Sequence, residues 1–164
     1  MNRYGGDGTS IALLGHSAGA HLVALVGTDP RFIERAGGDA AELRCVGSYD
    51  TASYDLVQRS SETRIVENAF GADAEVWKDA SPINHLEDRT TLPQFQLVVR
   101  GSPSRRASES AFADAVQAAG GTATVIEAAG FSHADVNRLI GAPGDSVMTP
   151  AVTEFVAGCF GPRK

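Results

Sequence analysis

The run Gly-His-Ser-Ala-Gly at residues 15–19 is the feature that most constrains the fold of this chain. An apolar run at 11–14 precedes it, and an Ala/Leu/Val-rich run follows it. This order predicts a strand, a sharp Gly-X-Ser-X-Gly turn and a helix, with the serine strained above the end of the strand. Without a Cβ, Gly15 and Gly19 would let the strand and the helix approach closely. We therefore expect Ser17 to be an exposed nucleophile; the alternative is an ordinary tight turn whose serine caps the helix.

Strand-like and helix-like runs alternate along the rest of the chain. Strands are predicted at 10–14, 44–48, 95–100 and 122–127, helices at 18–27, 108–119, 134–140 and 147–158, shorter helical pieces near 62–69 and 73–79, and a loop at 1–8. Such alternation is typical of α/β proteins, so we expect a mostly parallel sheet with helices on both faces. We interpret residues 1–164 as one domain, in which the polar segment 51–92 is an insertion or cap-like segment.

A base and an acid are expected at the carboxyl ends of the later strands, where ligands bind in such sheets. His133 follows the fourth predicted strand and could accept the Ser17 proton. The loop at 101–106, after the third strand, contains no carboxylate. Glu109, just beyond this loop, is the first candidate for the acid, and Asp50, at the end of the second strand, is the alternative. A dyad without an acid is a third possibility.

The other residues near the turn have expected roles of their own. Ala18 follows the serine at the start of the helix, so its N–H would face an oxyanion formed on the substrate. His16 is expected to point into the turn, and His21 to pack or line the pocket. His85 lies in the insertion and is expected to be structural or to line the substrate site.

Composition and charge exclude several classes of protein. The net charge is −6 and the basic pair Arg105-Arg106 is short, which argues against a nucleic-acid partner. No segment is long and apolar enough to span a membrane, and residues 1–8 do not resemble a signal peptide. Cys45 and Cys159 are expected to be buried free thiols, which favours a cytoplasmic location. No Cys/His spacing suggests zinc, and we expect no metal or other cofactor.

These motifs together resemble the α/β-hydrolase superfamily, and more narrowly its hormone-sensitive-lipase-like esterases and kynurenine-formamidase-like carboxylesterases. The resembling stretches are Tyr4-Gly5-Gly6-Asp7, Gly15-His16-Ser17-Ala18-Gly19-Ala20-His21-Leu22, Ser81-Pro82-Ile83, Val98-Val99-Arg100-Gly101-Ser102 and His133-Ala134-Asp135-Val136-Asn137. The resemblance implies Ser17 as nucleophile and His133 as base. The acid of these families usually lies where Pro103 or Ser104 stands here. In these families a His-Gly-Gly loop that binds the oxyanion precedes the turn with the nucleophilic serine, which is called the nucleophile elbow. The resemblance therefore covers only the C-terminal half of the fold, from the strand before this elbow onward.

The sequence therefore predicts a truncated α/β-hydrolase fold and a serine hydrolase of small carboxylic esters. Ser17 would form the acyl-enzyme and His133 would act as general base, without a cofactor. An aryl formamide would be cleaved by the same chemistry. The alternative function is that of a truncated or degenerate hydrolase-fold protein acting as a non-catalytic binding or subunit module.

The predicted strand at 10–14 has an apolar sequence without Pro or Lys, so an open edge there would invite pairing. We expect either a homo-oligomer, most simply a dimer, or a partner chain that completes the sheet at this edge.

Overall fold

The computed structural model describes residues 5–6, 8–58, 63–88 and 90–161. The strands are β1 (Ile11–His16), β2 (Leu43–Tyr49), β3 (Gln94–Val99) and β4 (Thr122–Glu127). The helices are α1 (Ala18–Thr28), α2 (Arg31–Arg35), α3 (Thr63–Phe70), α4 (Ala74–Asp79), α5 (Pro103–Ala118), α6 (His133–Arg138) and α7 (Met148–Cys159), with 3₁₀ turns at Ala40–Glu42 and Pro82–His85. Most of the loop predicted at 1–8, and residue 62 of the helical piece predicted at 62–69, lie outside the described residues.

The four strands form one sheet in the order β1-β2-β3-β4, and each neighbouring pair is parallel. Alternate side chains of β3 point to opposite faces, as the period of a strand requires. Phe95 and Leu97 pack in one core cluster with Phe112 of α5, whereas Val98 packs in a second cluster with Val136 of α6. The α/β class and the placement of helices on both faces are thereby confirmed.

Two element boundaries differ from the expectation for local reasons. Helix α5 begins at Pro103, five residues before the predicted start at 108, because the Ser102 side chain accepts the Arg105 N–H and caps the helix. Proline suits the first helical position, where its missing N–H is not needed. Strand β1 continues to His16 instead of ending at 14, so it leads directly into the turn that contains Ser17.

Cys45 and Cys159 form a disulfide, with their Cα atoms 5.8 Å apart. The expectation of two free thiols is therefore wrong. Sequence spacing gave no sign of the bond because 114 residues separate the two cysteines, and only the packing of α7 beside β2 brings them together. The bond also removes the observation on which a cytoplasmic location was based, since disulfides are rare in reducing compartments.

The segment 51–92 contributes a small apolar cluster of its own. Leu56 and Val66 are buried there against Phe70 and Trp77, and the Trp77 indole donates a hydrogen bond to Gly71 O. This cluster holds α3 and α4 together at one end of the sheet.

Among the helices in the described part of the chain, none is long and apolar enough to cross a membrane.

Candidate active site

Ser17 lies at the sharp turn between β1 and α1, with φ 59° and ψ −119°. A Cβ added to Gly15 would lie 2.2 Å from Gly19 O, so only glycine fits at position 15. At Gly19 an added Cβ would meet no atom within 4 Å outside its own helix. We expected both glycines to be needed for the close approach of β1 and α1, but only Gly15 is required there. The Ser17 N–H donates to Tyr49 O at 3.0 Å, which fixes the turn to the end of β2.

His133 is the first residue of α6, and its imidazole lies between Ser17 and Asp50. Nε2 is 2.9 Å from Ser17 Oγ, and Nδ1 is 2.6 Å from Asp50 Oδ2. An ionised carboxylate can only accept, so Nδ1 carries the proton and Nε2 is the acceptor for the serine hydroxyl. Ser132 and Asp135 form a capping box at the start of α6, which holds the backbone of His133 in place.

Asp50 follows β2 directly and its side chain is fully buried. Its φ of 58° is positive, and among the described non-glycine residues this is true only of Asp50 and Ser17. Such backbone strain costs of order 1–3 kcal/mol per residue and tends to be kept where function needs it. Here both strained residues hydrogen-bond to the same imidazole, that of His133.

Glu109, the first candidate for the acid, lies elsewhere. It is fully buried on α5, and its Oε1 accepts a hydrogen bond from the Tyr54 hydroxyl at 3.1 Å. Burial raises the pKa of the Glu109 carboxyl to about 9, so the group is protonated at neutral pH. The alternative candidate, Asp50, is therefore the carboxylate in contact with His133.

Two arginines that sequence reasoning did not assign also bind Asp50. Arg100 Nε is 2.5 Å from Asp50 Oδ2, and Arg105 Nη2 is 2.6 Å from Asp50 Oδ1. Arg105 Nη2 also donates to the backbone carbonyl of Asp50. Both arginines belong to the loop and helix that follow β3, where the sequence analysis expected the acid. The sequence signal for these contacts was the presence of Arg100 and Arg105 in the segment where an acid was expected.

The remaining histidines hold the architecture around the site. His16 Nε2 donates to the backbone carbonyl of His133 at 2.8 Å, and the two rings lie 4.4 Å apart. His21 is buried against Ala80 O and also lines the cavity beside the serine. His85 bonds Asp88 and the backbone carbonyl of Asp79 and does not line this cavity, which fits the structural one of the two roles expected for it.

Within the described residues, ligand atoms of His16, Asp50 and His133 lie within 4.8 Å of one another, as a metal site would need. All three residues already hydrogen-bond to one another or to Ser17. This arrangement suits proton transfer.

A cavity of about 750 Å³ opens beside Ser17 and His133. One wall is apolar and is formed by α1, α3 and the loop before α3; it includes Leu22, Leu56, Ile65, Val66 and Phe70. Arg100 and Arg105 line the cavity as well and form its cationic wall. Ala18 also lines the cavity, at the first position of α1, where helix N–H groups have no partner within the helix.

No family model matches the sequence. The chain is 34% identical over 117 residues to the esterase LipC of Mycobacterium tuberculosis (strain ATCC 25618 / H37Rv), a match covering 62% of this chain and 28% of LipC. It is 33% identical over 100 residues to LipM of the same bacterium, named as a probable carboxylic ester hydrolase, covering 52% of this chain and 23% of LipM. Thus the match takes in less than a third of either relative.

Solved structures extend the likeness over nearly the whole chain. A thermophilic esterase of the planctomycete Thermogutta terrifontis superposes with a TM-score of 0.64 at 20% identity, covering 90% of this chain and 53% of that one. The chain has an α/β-hydrolase-like fold that matches about half of that esterase. Esterase 2 of the same organism, phosphonylated by sarin, matches this hydrolase fold with a TM-score of 0.63 at 17% identity, covering 93% and 59%. The resemblance to α/β-hydrolase esterases stated from the motifs is confirmed, and the chain spans about half the length of these solved esterases.

Proposed function

We propose that this chain is a serine hydrolase of small carboxylic esters, in which Ser17, His133 and Asp50 act as nucleophile, base and acid. The observation that carries the proposal is the continuous set of hydrogen bonds from Ser17 Oγ to His133 Nε2 and from His133 Nδ1 to Asp50 Oδ2. Nucleophile, base and orienting carboxylate in mutual contact are the arrangement that acyl transfer requires. The similarity to named esterases supports the same chemistry.

The proposed reaction has two halves. Ser17 Oγ bonds to the carbonyl carbon as its proton passes to His133 Nε2, and the carbonyl oxygen becomes an oxyanion beside the Ala18 N–H. The tetrahedral intermediate then collapses by breaking the bond between the carbonyl carbon and the alcohol oxygen. The leaving alkoxide takes the proton from the His133 imidazolium. Water attacks the acyl-serine in the second half, again losing its proton to His133 Nε2. Collapse of that intermediate returns the proton to Ser17 and releases the carboxylic acid.

Each strained residue has a part in this scheme. The positive φ of Ser17 directs its hydroxyl out of the turn and toward the imidazole. The positive φ of Asp50 aims its carboxylate back across the end of the sheet to Nδ1. Asp50 thereby favours the tautomer whose Nε2 is free to accept the serine proton, and it stabilises the imidazolium that forms.

Segment 51–92 is proposed to act as a cap on the substrate side. Leu56, Val66 and Phe70 belong to this segment and face the cavity beside Ser17. A short acyl or alcohol group of the ester could bury its apolar surface against them, which favours binding by about 25 cal/mol per Å² buried.

Turnover of p-nitrophenyl butyrate tests the proposal. We expect the wild type to hydrolyse this ester and both Ser17→Ala and His133→Ala to lose at least 10³-fold in kcat/KM. The Ser104→Ala variant is the matched control and should keep full activity, since among the described residues the Ser104 side chain bonds the Ser102 hydroxyl alone. Full turnover by folded Ser17→Ala would refute the proposal, and an inactive wild type would favour the non-catalytic alternative.

We also propose that the chain associates through the outer edge of β1, which pairs with no other strand among the described residues, most simply as a homodimer. β1 is at the end of the strand order, and Leu14 on β1 and Leu22 on α1 are 45% and 59% exposed. Unpaired edge groups beside apolar side chains favour pairing with a further strand. Sedimentation equilibrium at micromolar concentration should give a mass above 17.1 kDa, whereas a stable monomer would contradict this proposal.

A further inference from the structure

The guanidinium of Arg100 has donors that the contact with Asp50 does not use. Only Nε of Arg100 bonds to Asp50, and within the described chain Nη1 and Nη2 make no hydrogen bond or ion pair. The Arg100 side chain is 24% exposed and lines the same cavity as Ser17 and His133. Two N–H-bearing nitrogens of a planar cation therefore remain open to a molecule bound beside the nucleophile.

Arg105 is less suited to receive a ligand. Its Nη2 bonds both the carboxylate and the backbone carbonyl of Asp50, and its Nε is buried without a partner among the described residues. Arg105 is thus the guanidinium that fixes Asp50, and Arg100 is the guanidinium that faces the cavity with free donors.

The charges around the cavity leave a positive excess at this wall. Two guanidiniums bind the single carboxylate of Asp50. Glu109, which follows Arg105 by four residues on α5, is protonated at neutral pH because burial raises its pKa to about 9. The chain as a whole has a net charge of −6, so this cationic wall is a local departure from an acidic protein.

The two walls of the cavity therefore differ in chemistry. The α1 and α3 side offers Leu22, Ile65 and Phe70. The β3 side offers Arg100, whose planar fork fits a carboxylate through two parallel N–H···O bonds. Ser17 and His133 line the same cavity as both walls.

We propose that Arg100 binds a carboxylate on the substrate, so that the preferred esters join an apolar group to an anionic one. Arg100 is then a specificity-determining residue, in addition to its contact with Asp50. This inference rests on the proposed function of the same site, and a binding measurement can separate the two.

The test uses one pair of stable esters, monobutyl glutarate and butyl 4-carbamoylbutanoate. They match in length and differ in having a carboxylate or a neutral amide at the acyl end. Binding is measured by calorimetry to the Ser17→Ala variant, which keeps Arg100 but cannot form an acyl-enzyme. We expect the carboxylate ester to bind about 10-fold more tightly, the effect of one charge-assisted pair at a partly exposed site. Adding Arg100→Gln should abolish that preference, and Arg100→Lys should restore part of it.

Arg106→Gln is the matched control, because within the described part of the chain the Arg106 side chain bonds only the backbone carbonyl of Gly101 and does not line this cavity. Should Arg100→Gln unfold, the salt dependence of the Ser17→Ala variant gives the same information. The preference for the carboxylate ester should shrink severalfold between 50 and 500 mM NaCl, as screening weakens the charge pair.

Equal binding of the two esters, or a preference that survives in folded Arg100→Gln, would overturn the inference. Neither result bears on turnover of p-nitrophenyl butyrate, so the proposed function could stand while this inference fails. Conversely, an inactive wild type that still binds the carboxylate ester through Arg100 would refute the hydrolase proposal and retain the anion site.

Discussion

Replacing Glu109 by Gln should change how stability depends on pH. The ordinary pKa of a glutamic acid is 4.5, and burial raises that of Glu109 to about 9 in the folded chain. Between about pH 5 and pH 9, Glu109 is therefore protonated in the folded state and ionised in the unfolded state. Stability contributed by this proton is fully present below the unfolded pKa and is lost as pH rises. One proton changes the free energy of unfolding by about 1.4 kcal/mol per pH unit, or about 4 kcal/mol between pH 5 and pH 8.

The assay is urea unfolding of wild type and Glu109→Gln at pH 5, 6, 7 and 8, followed by circular dichroism. The glutamine oxygen can still accept the Tyr54 hydroxyl, so the two proteins should be about equally stable at pH 5. At pH 8 the variant should be the more stable by several kcal/mol. All other titrating groups are common to both proteins and cancel in the difference. Parallel pH profiles for the two proteins would refute the reasoning, since they would mean that Glu109 ionises normally in the fold.

Three further predictions follow from single contacts. Asp50→Asn should lower kcat of ester hydrolysis by roughly 10³–10⁴-fold, against less than 10-fold for Glu109→Gln, and equal kinetics of the two variants would exclude Asp50 as the acid. Gly15→Ala should destabilise the fold by about 3 kcal/mol, because the added Cβ would lie 2.2 Å from Gly19 O, whereas Gly19→Ala should be tolerated. Thermal melts measure both effects, and equal melting temperatures of the two variants would contradict the turn geometry. Cys159→Ser should cost about 2–5 kcal/mol by removing a link between residues 114 apart, and a wild type insensitive to dithiothreitol would count against the bond.

The parts of the fold that sequence predicted well are those that depend on local signals. The Ser17 turn, the alternation of strands and helices, and the position of His133 after β4 all follow from short-range patterns and the rules of parallel sheets. Strand β4 matches its predicted bounds of 122–127, whereas α5 begins five residues before its predicted start because Ser102 caps it.

The parts that sequence could not predict depend on contacts between distant residues. The sequence offered Glu109 as the first candidate for the acid and Asp50 as the alternative. Only the turn after β2, with its positive φ, places the Asp50 carboxylate against His133. The arginine contacts with Asp50 span 50 and 55 residues, and the disulfide spans 114. No periodicity or spacing rule connects such positions.

Labelling with a fluorophosphonate probe tests the central claim, that Ser17 is activated by His133 and Asp50. The probe is incubated with the wild type, His133→Ala, Asp50→Asn and the Ser104→Ala control, and peptide mass spectrometry maps the modified residue. We predict one phosphonyl group on Ser17 of the wild type and of Ser104→Ala, with labelling slowed at least 100-fold in the two site variants. Absence of label on Ser17, or equal labelling rates in His133→Ala and wild type, would contradict the account.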